Sequence, residues 1–192
     1  MGIAWLFPGQ GSQAVGMGRD LAVRYTSAAR VYEAANDALG IDLRALCFEG
    51  PAEELDRTAN TQPALLATSI ACLRAAEEAA DGRAEPSFVL GHSLGEFTAL
   101  VAAGALTLGD ALHLVRTRGE LMQAADLVVS KPGGLTTSEV LARGAVMVIV
   151  NPIPGQESRN SDYLLEEGAA IKANHTTLIR GRERAIRMPA QC

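Results

Sequence analysis

The stretch Gly91-His92-Ser93-Leu94-Gly95 constrains the fold of this chain most strongly, because its two glycines leave room for a turn that side chains would block. The preceding residues, 87–90, are a short apolar run that predicts a buried strand. The following residues predict a helix whose apolar face is formed by Leu94, Phe97, Leu100 and Val101. Strand, Gly-x-Ser-x-Gly and helix together are the context in which this motif holds a nucleophilic serine.

The same residues allow a simpler interpretation, in which Ser93 is the N-cap of an ordinary helix. Serine is one of the commonest N-cap residues. In the nucleophile interpretation, the turn places the Ser93 hydroxyl at a helix N-terminus, where free N–H groups and the helix dipole favour negative charge. The flanking pattern favours the nucleophile, and the cap remains the alternative.

Composition narrows the classes of function. With 192 residues and 48% hydrophobic residues, the chain is long and apolar enough to form a globular core. The net charge of −5 argues against a nucleic-acid partner, which would favour a basic excess. No apolar run is long enough to span a membrane, and the N-terminus lacks a basic signal region, so a cytoplasmic protein is expected. The cysteines show no metal-binding spacing, and no metal is expected.

The rest of the pattern predicts α/β structure in two parts. In the first part we expect a strand at 3–7, followed at 8–13 by a loop that allows close backbone approach. We also expect a helix at 27–39, a second helix that begins at Gln62, and a third that ends at Gln123. The third helix begins at the capping-box-like pattern Thr107-x-x-Asp110. In the second part we expect strand 126–130, loop 132–134, helix 137–143, strand 146–150 and helix 161–170. This βαβα order predicts a parallel pair of strands. The arginine-rich residues 174–192 are predicted to be a poorly ordered tail.

Residues 1–124 resemble the malonyl-CoA:acyl-carrier-protein transacylases and the related acyltransferase domains of polyketide synthases. The resemblance rests on four motifs in the family's order, at residues 7–13, 60–64, 91–96 and 118–123. It implies a three-layer, parallel-sheet, hydrolase-like acyltransferase half. The implied activity is transfer of a malonyl group from coenzyme A to acyl carrier protein, in fatty-acid or polyketide synthesis. Malonyl-CoA is then a substrate, and no cofactor is implied.

The resemblance also assigns roles at the serine turn. Ser93 would carry the acyl group, and the backbone N–H groups of Gln10 and Leu94 would form the oxyanion hole. Acyl transfer between thioesters passes through a tetrahedral oxyanion, and each preorganised donor typically changes the rate by about 10²–10³-fold. The residue types therefore suit the implied chemistry.

A second group of residues is assigned to substrate binding. Arg118 would bind the malonyl carboxylate, for which the planar guanidinium is well suited, and Met122 and His92 would line the same site. His92 is expected to pack beside the turn rather than act as the general base. In the family the base histidine follows the Arg-Gly motif, and here His113 and His175 do not match its position or surroundings. A serine without a positioned base is a weak nucleophile, so impaired activity is expected.

Residues 125–173 resemble a different family, the C-terminal nucleotide-sugar half of glycosyltransferases that make diacylglycerol glycolipids and the related peptidoglycan lipid intermediate. The resemblance rests on residues 125–139 and 150–157 and implies an added Rossmann-like βαβα fragment. Its implied roles place Gly133, Gly134 and Thr136 near a diphosphate, Glu139 at the ribose, and Gln156 and Glu157 at the sugar. A glycine loop at a helix N-terminus suits phosphate, although a plain strand–loop–helix cap explains the same pattern.

The sequence therefore predicts a transacylase half at 1–124, a glycosyltransferase fragment at 125–173 and a tail at 174–192. Three functions follow as alternatives: a malonyl transferase that uses Ser93, a non-catalytic chimera that at most binds coenzyme A or a carrier protein, and a nucleotide-sugar-binding fragment. A serine hydrolase is rejected, because no acid and histidine pair is indicated after Ser93.

Overall fold

The structure is a computed structural model that describes residues 2–82, 85–155 and 157–173. The chain divides into two compact units, Met1–Gln123 and Ala124–Cys192, and each has its own hydrophobic core. The predicted tail at 174–192 and the candidate residue Gln156 lie outside the described residues. The assignment of the two parts to two families stays a prediction.

The first unit combines a small parallel sheet with a helical layer. Its described elements are β1 (Ala4–Phe7), α1 (Arg19–Arg24), α2 (Thr26–Leu39), α3 (Leu43–Glu49), α4 (Ala52–Leu55), α5 (Thr58–Ala79), β2 (Phe88–Gly91), α6 (Gly95–Ala102) and α7 (Leu108–Ala124). β1 and β2 pair in parallel, from Ala4 opposite Phe88 to Phe7 opposite Gly91. Both strands therefore end at the same edge, where the 8–13 loop and the serine turn follow.

The long helix α5 begins at Thr58, earlier than the predicted start at Gln62. The extra turn is anchored by side chains that bind the preceding helix. Asn60 Nδ2 donates to the Glu54 carbonyl at 2.8 Å, and Thr61 Oγ1 donates to the Leu55 carbonyl at 2.6 Å. These distant bonds stabilise helical backbone before Pro63, and the local sequence pattern does not reveal them.

Thr107 caps α7, as the capping-box-like pattern predicts. The Asp110 backbone N–H donates to Thr107 Oγ1 at 3.1 Å, and Thr107 Oγ1 donates to Asp110 Oδ2 at 2.6 Å. The apolar face of this helix packs into the core of the unit, with Ala111, Leu112 and Val115 buried. This packing fixes the helix that carries Arg118.

The prediction that β2 is a buried strand is wrong for one face of the sheet. Phe88 is 69% exposed and Leu90 is 52% exposed, whereas Val89 between them packs against the core. Alternate residues of a strand point to opposite faces, and the described residues of this unit cover only one face. Leu100, predicted on the apolar face of α6, is also exposed. A mixed α/β fold is observed, and the three-layer arrangement stays a prediction.

The second unit is a parallel βαβαβ arrangement in its described part. Its elements are β3 (Leu127–Ser130), α8 (Gly134–Arg143), β4 (Val146–Ile149), α9 (Ser158–Glu166) and β5 (Ala170–Lys172). The strand order is β3-β4-β5, with both pairs parallel. The predicted strand–helix–strand at 126–150 is confirmed, with Gly133 as N-cap of α8 and Gly134 as its first residue. The Rossmann-like assignment of this unit stays a prediction.

Two boundaries in this unit differ from the prediction. α8 begins before the predicted Thr137, and α9 covers Ser158–Glu166 instead of 161–170. α9 stops early because Gly168 takes a left-handed conformation (φ 67°), after which the chain enters β5. This last strand is only 3 residues long, too short for hydrophobic periodicity to indicate it. No helix in the described ranges is long and apolar enough to cross a membrane.

Candidate active site

Ser93 lies on a strained turn between β2 and α6. Its φ is 54°, in the left-handed region, which costs a residue with a Cβ about 1–2 kcal/mol. The N-cap of α6 is Leu94, without a side-chain capping bond, so the interpretation of Ser93 as an ordinary N-cap is wrong. The predicted strand-to-helix turn is confirmed, and Ser93 is exposed at its tip. Strain of this kind clusters at functional sites.

Both glycines of the motif are required by close backbone packing. A Cβ at Gly91 would overlap the carbonyl group of Gly95 one turn later. A Cβ at Gly95 would overlap the carbonyl oxygen of Phe7 at the end of β1. Because backbone groups cannot move aside cheaply, the turn excludes side chains at both positions. Gly95 also lets α6 start directly against β1.

The loop after β1 lies directly against this turn, as the sequence predicts. The His92 backbone N–H donates to the Phe7 carbonyl at 3.1 Å. A Cβ built on Gly9 would lie 2.8 Å from His92 Nδ1, so the imidazole packs on the loop. Gln10 is tethered from the other side, since its Nε2 donates to Thr58 Oγ1 at 3.3 Å. The oxyanion-hole roles of the Gln10 and Leu94 N–H groups stay predictions.

Arg118 carries a positive charge without an ion pair among the described residues. Its NH1 donates at 2.8 Å to Gln62 Oε1, a neutral acceptor on α5. Nearby Arg116 differs, because its Nε forms an ion pair with Glu120 Oε1 at 2.9 Å. Arg118 lines an open groove of about 720 Å³ with Phe97, Asp110, His113, Leu114, Thr117, Leu121 and Met122. The structure thus brings Arg118 and Met122 together.

A tight contact between α5 and α7 holds this arrangement. A Cβ on Gly119 would lie 2.6 Å from Ala59 Cα, so the two helices touch through their backbones. Gly119 therefore allows α7 to approach the start of α5, and Arg118 beside it bonds to Gln62 of the 60–64 motif. Sequence reasoning missed the bonds from Arg118 to Gln62 and from Gln10 to Thr58, because nothing local indicates pairings between distant residues.

No general base is found beside the serine in the part of the chain that the structure describes. No hydrogen bond is formed there between Ser93 Oγ and a histidine: His92 packs on the Gly9 loop and His113 lines the Arg118 groove. His175 lies outside the described residues. No group of metal-binding side chains occurs within the described ranges either.

Gly133 and Gly134 lie at the start of α8, and a Cβ built on Gly133 would lie 3.7 Å from Glu157 Oε1. Thr136 is partly buried on α8, and Glu139 belongs to the same helix. Glu157 is only 4% exposed: its Oε1 forms an ion pair with Lys131 at 3.2 Å, and its Oε2 accepts from the Ile153 N–H at 2.9 Å. Both oxygens of Glu157 thus stabilise loops within the unit. The assigned roles of Glu139, Gln156 and Glu157 stay predictions.

Comparison with known proteins identifies the family. The acyl transferase domain family matches residues 4–149. The chain is 53% identical over 170 residues to the malonyl CoA-acyl carrier protein transacylase of Bacillus subtilis, covering 88% of this chain and 49% of the relative. It is similar to a malonyl-transacylase solved in complex with a type II polyketide-synthase acyl carrier protein (TM-score 0.61, 48% identity, 65% of this chain and 40% of that one). It is also similar to the malonyl CoA-acyl carrier protein transacylase structure from Clostridium perfringens, with a TM-score of 0.63 and 28% identity. That match covers 88% of this chain and 58% of the other.

The family match extends through β4, so residues 125–149 lie inside it. The glycosyltransferase assignment of these residues stays a prediction. The chain spans about half the length of the curated Bacillus subtilis relative. Because the family match covers well over half of this sequence, the chain belongs to the acyl transferase domain family.

Proposed function

We propose that this chain accepts a malonyl group from malonyl-CoA on Ser93 and transfers it to acyl carrier protein. The observation that carries the proposal is the conformation of Ser93, left-handed and exposed between β2 and α6, with the β1 loop packed against its turn. An exposed serine on such a turn suits acyl transfer through a covalent intermediate.

The reaction needs groups that stabilise developing negative charge. The Leu94 N–H at the start of α6 and the Gln10 N–H in the adjoining loop are the proposed oxyanion donors. The N-terminal end of α6 adds a favourable dipole at the same place. The loop and the turn are packed together, which would hold these donors in place before the reaction, as electrostatic catalysis requires.

Arg118 is the proposed partner of the malonyl carboxylate. It has no ion pair among the described residues, and it faces a groove that is lined largely by apolar side chains. A carboxylate is bound strongly by a guanidinium, which can donate two parallel hydrogen bonds to it. Met122 lines the same groove, and His92 supports the loop beside Ser93. No cofactor is required, because the coenzyme A thioester is itself the substrate.

Acyl carrier protein is the proposed acceptor. The similarity to a malonyl-transacylase that was solved with its carrier protein supports this choice. The chain is also similar to a Burkholderia thailandensis polyketide biosynthesis protein, with 50% identity over 209 aligned positions. Polyketide synthesis is therefore proposed as a pathway for this chain alongside fatty-acid synthesis.

Intact-mass spectrometry after incubation with malonyl-CoA tests the proposal. We expect one malonyl adduct, which peptide mapping assigns to Ser93 and which acyl carrier protein then removes. Attachment at another residue would contradict the assigned nucleophile. Absence of any adduct would instead support the alternative of a non-catalytic protein.

We propose nucleotide-sugar binding as a second function, located at the start of α8. The favouring observation is the parallel β3–α8–β4 arrangement, which places the α8 N-terminus and Gly133 after the carboxyl end of β3. Ligand phosphates commonly bind at this position in α/β folds. Gly133, Gly134 and Thr136 would contact the diphosphate, Glu139 the ribose, and Gln156 and Glu157 the sugar.

Calorimetry with a UDP-sugar tests this second function. We expect Glu139→Ala to weaken binding by about tenfold, the loss of roughly one hydrogen bond to a charged group. Glu166→Ala is the matched control, because Glu166 is an exposed glutamate at the last position of α9 and should leave binding unchanged. Equal binding by the Glu139→Ala variant would refute the ribose role.

A further inference from the structure

We propose that Gln62 is a positioning residue, which holds the Arg118 guanidinium in the orientation that selects a carboxylated acyl group. The inference rests on the proposed function of Arg118. It concerns a residue that makes no assigned contact with the substrate and whose role follows from one buried hydrogen bond.

The orientation of the Gln62 amide is fixed by its partner. Gln62 is fully buried on α5, and its Oε1 accepts from Arg118 NH1 at 2.8 Å. A guanidinium can only donate, so the carbonyl end of the amide must face it. The Nε2 end is then left buried, without a hydrogen-bond partner among the described residues. A buried donor without a partner lowers the stability of the fold, so an apolar side chain at position 62 would be more stabilising. The hydrogen bond from Arg118 to the Gln62 carbonyl is the reason we infer for an amide here.

The surrounding backbone keeps the two side chains in register. Thr61 anchors α5 to the preceding helix through its 2.6 Å bond to the Leu55 carbonyl. Gly119, next to Arg118, lets α7 touch α5 at Ala59, where a Cβ would lie only 2.6 Å from the facing Cα. This close approach and the Thr61 bond set the positions of the two helices that carry Gln62 and Arg118.

Because the Gln62 amide is a neutral acceptor, its hydrogen bond leaves the charge of Arg118 uncompensated. Arg116, on the same helix, has its charge compensated by Glu120 at 2.9 Å. The amide of Gln62 fixes one N–H of Arg118 and leaves its full positive charge and its other donors for an anion. A carboxylate at position 62 would make the same hydrogen bond and compete with the substrate. Glutamine therefore orients the cation without neutralising it.

The test compares the binding of malonyl-CoA and acetyl-CoA by calorimetry in the full chain carrying Ser93→Ala, which prevents acyl transfer. We expect this parent protein to prefer malonyl-CoA, and Gln62→Glu and Gln62→Leu each to reduce the preference about tenfold or more. Acetyl-CoA affinity should stay the same. Arg118→Ala gives the reference for complete loss. Thr68→Val is the matched control: it removes a hydrogen bond to Tyr32 OH from the same helix, at 2.8 Å, but should keep the preference.

Each other outcome overturns the inference. A parent protein without a malonyl preference, or without measurable binding of either thioester, shows that Arg118 forms no carboxylate site for Gln62 to support. A preference that survives both Gln62 variants, or that Thr68→Val removes equally, shows that the amide has no specific role. The proposed acyl transfer is judged separately, by the adduct on unsubstituted Ser93. A protein can therefore fail to acylate and still show Gln62-dependent selectivity.

Discussion

Replacing Ser93 by alanine is expected to abolish the malonyl adduct completely while leaving the fold intact. The hydroxyl is the proposed nucleophile, and it forms no hydrogen bond within the described residues that the fold would lose. Alanine at φ 54° carries the same steric cost as serine, so the free energy of unfolding should change by less than about 0.5 kcal/mol. Intact-mass spectrometry and thermal unfolding measure the two effects.

Two further variants separate the chemistry from the strain. Ser93→Gly relieves the left-handed conformation and should raise the free energy of unfolding by about 1 kcal/mol, again without an adduct. Ser87→Ala is the matched control, because Ser87 is an exposed serine directly before β2 and should leave the adduct unchanged. A malonyl adduct that persists in Ser93→Ala would refute the nucleophile.

The parts of the site that could be predicted from the sequence are those that local geometry determines. Gly91 and Gly95 lie within a turn that admits no side chains, so their spacing alone indicates the strand, the turn and the helix. The capping box at Thr107 is local in the same sense, since both of its hydrogen bonds join residues one turn apart. Such features need no knowledge of the rest of the chain.

The parts that could not be predicted depend on which distant segments meet. Gln62 and Arg118 are 56 residues apart, and Gln10 and Thr58 are 48 apart, so no local pattern links them. The exposure of Phe88 has the same origin. Periodicity indicates that the residue belongs to a strand, but tertiary packing decides which face of the sheet is covered.

Transfer to acyl carrier protein by this chain is expected to be about 10²–10⁴-fold slower than in an enzyme with a positioned general base, because that is the usual contribution of such a base. In the described part of the chain, no histidine is hydrogen-bonded to Ser93. His92 packs against Gly9, and His113 lies in the groove beside Arg118. A serine that has no such base must lose its proton to solvent as it attacks the thioester.

Single-turnover rates measured against pH give the sharpest test of this deficit. We expect the acylation rate to rise steadily with pH, without the inflection that a histidine base would give near its usual pKa of about 6.5. Added imidazole should accelerate acylation in the unsubstituted chain, because it supplies a proton acceptor, and should have no effect in Ser93→Ala. His113→Asn should leave the rate unchanged if this histidine is not the base. Turnover at an ordinary enzyme rate, about 1–10³ per second, would contradict the prediction and require a base that the described residues do not contain.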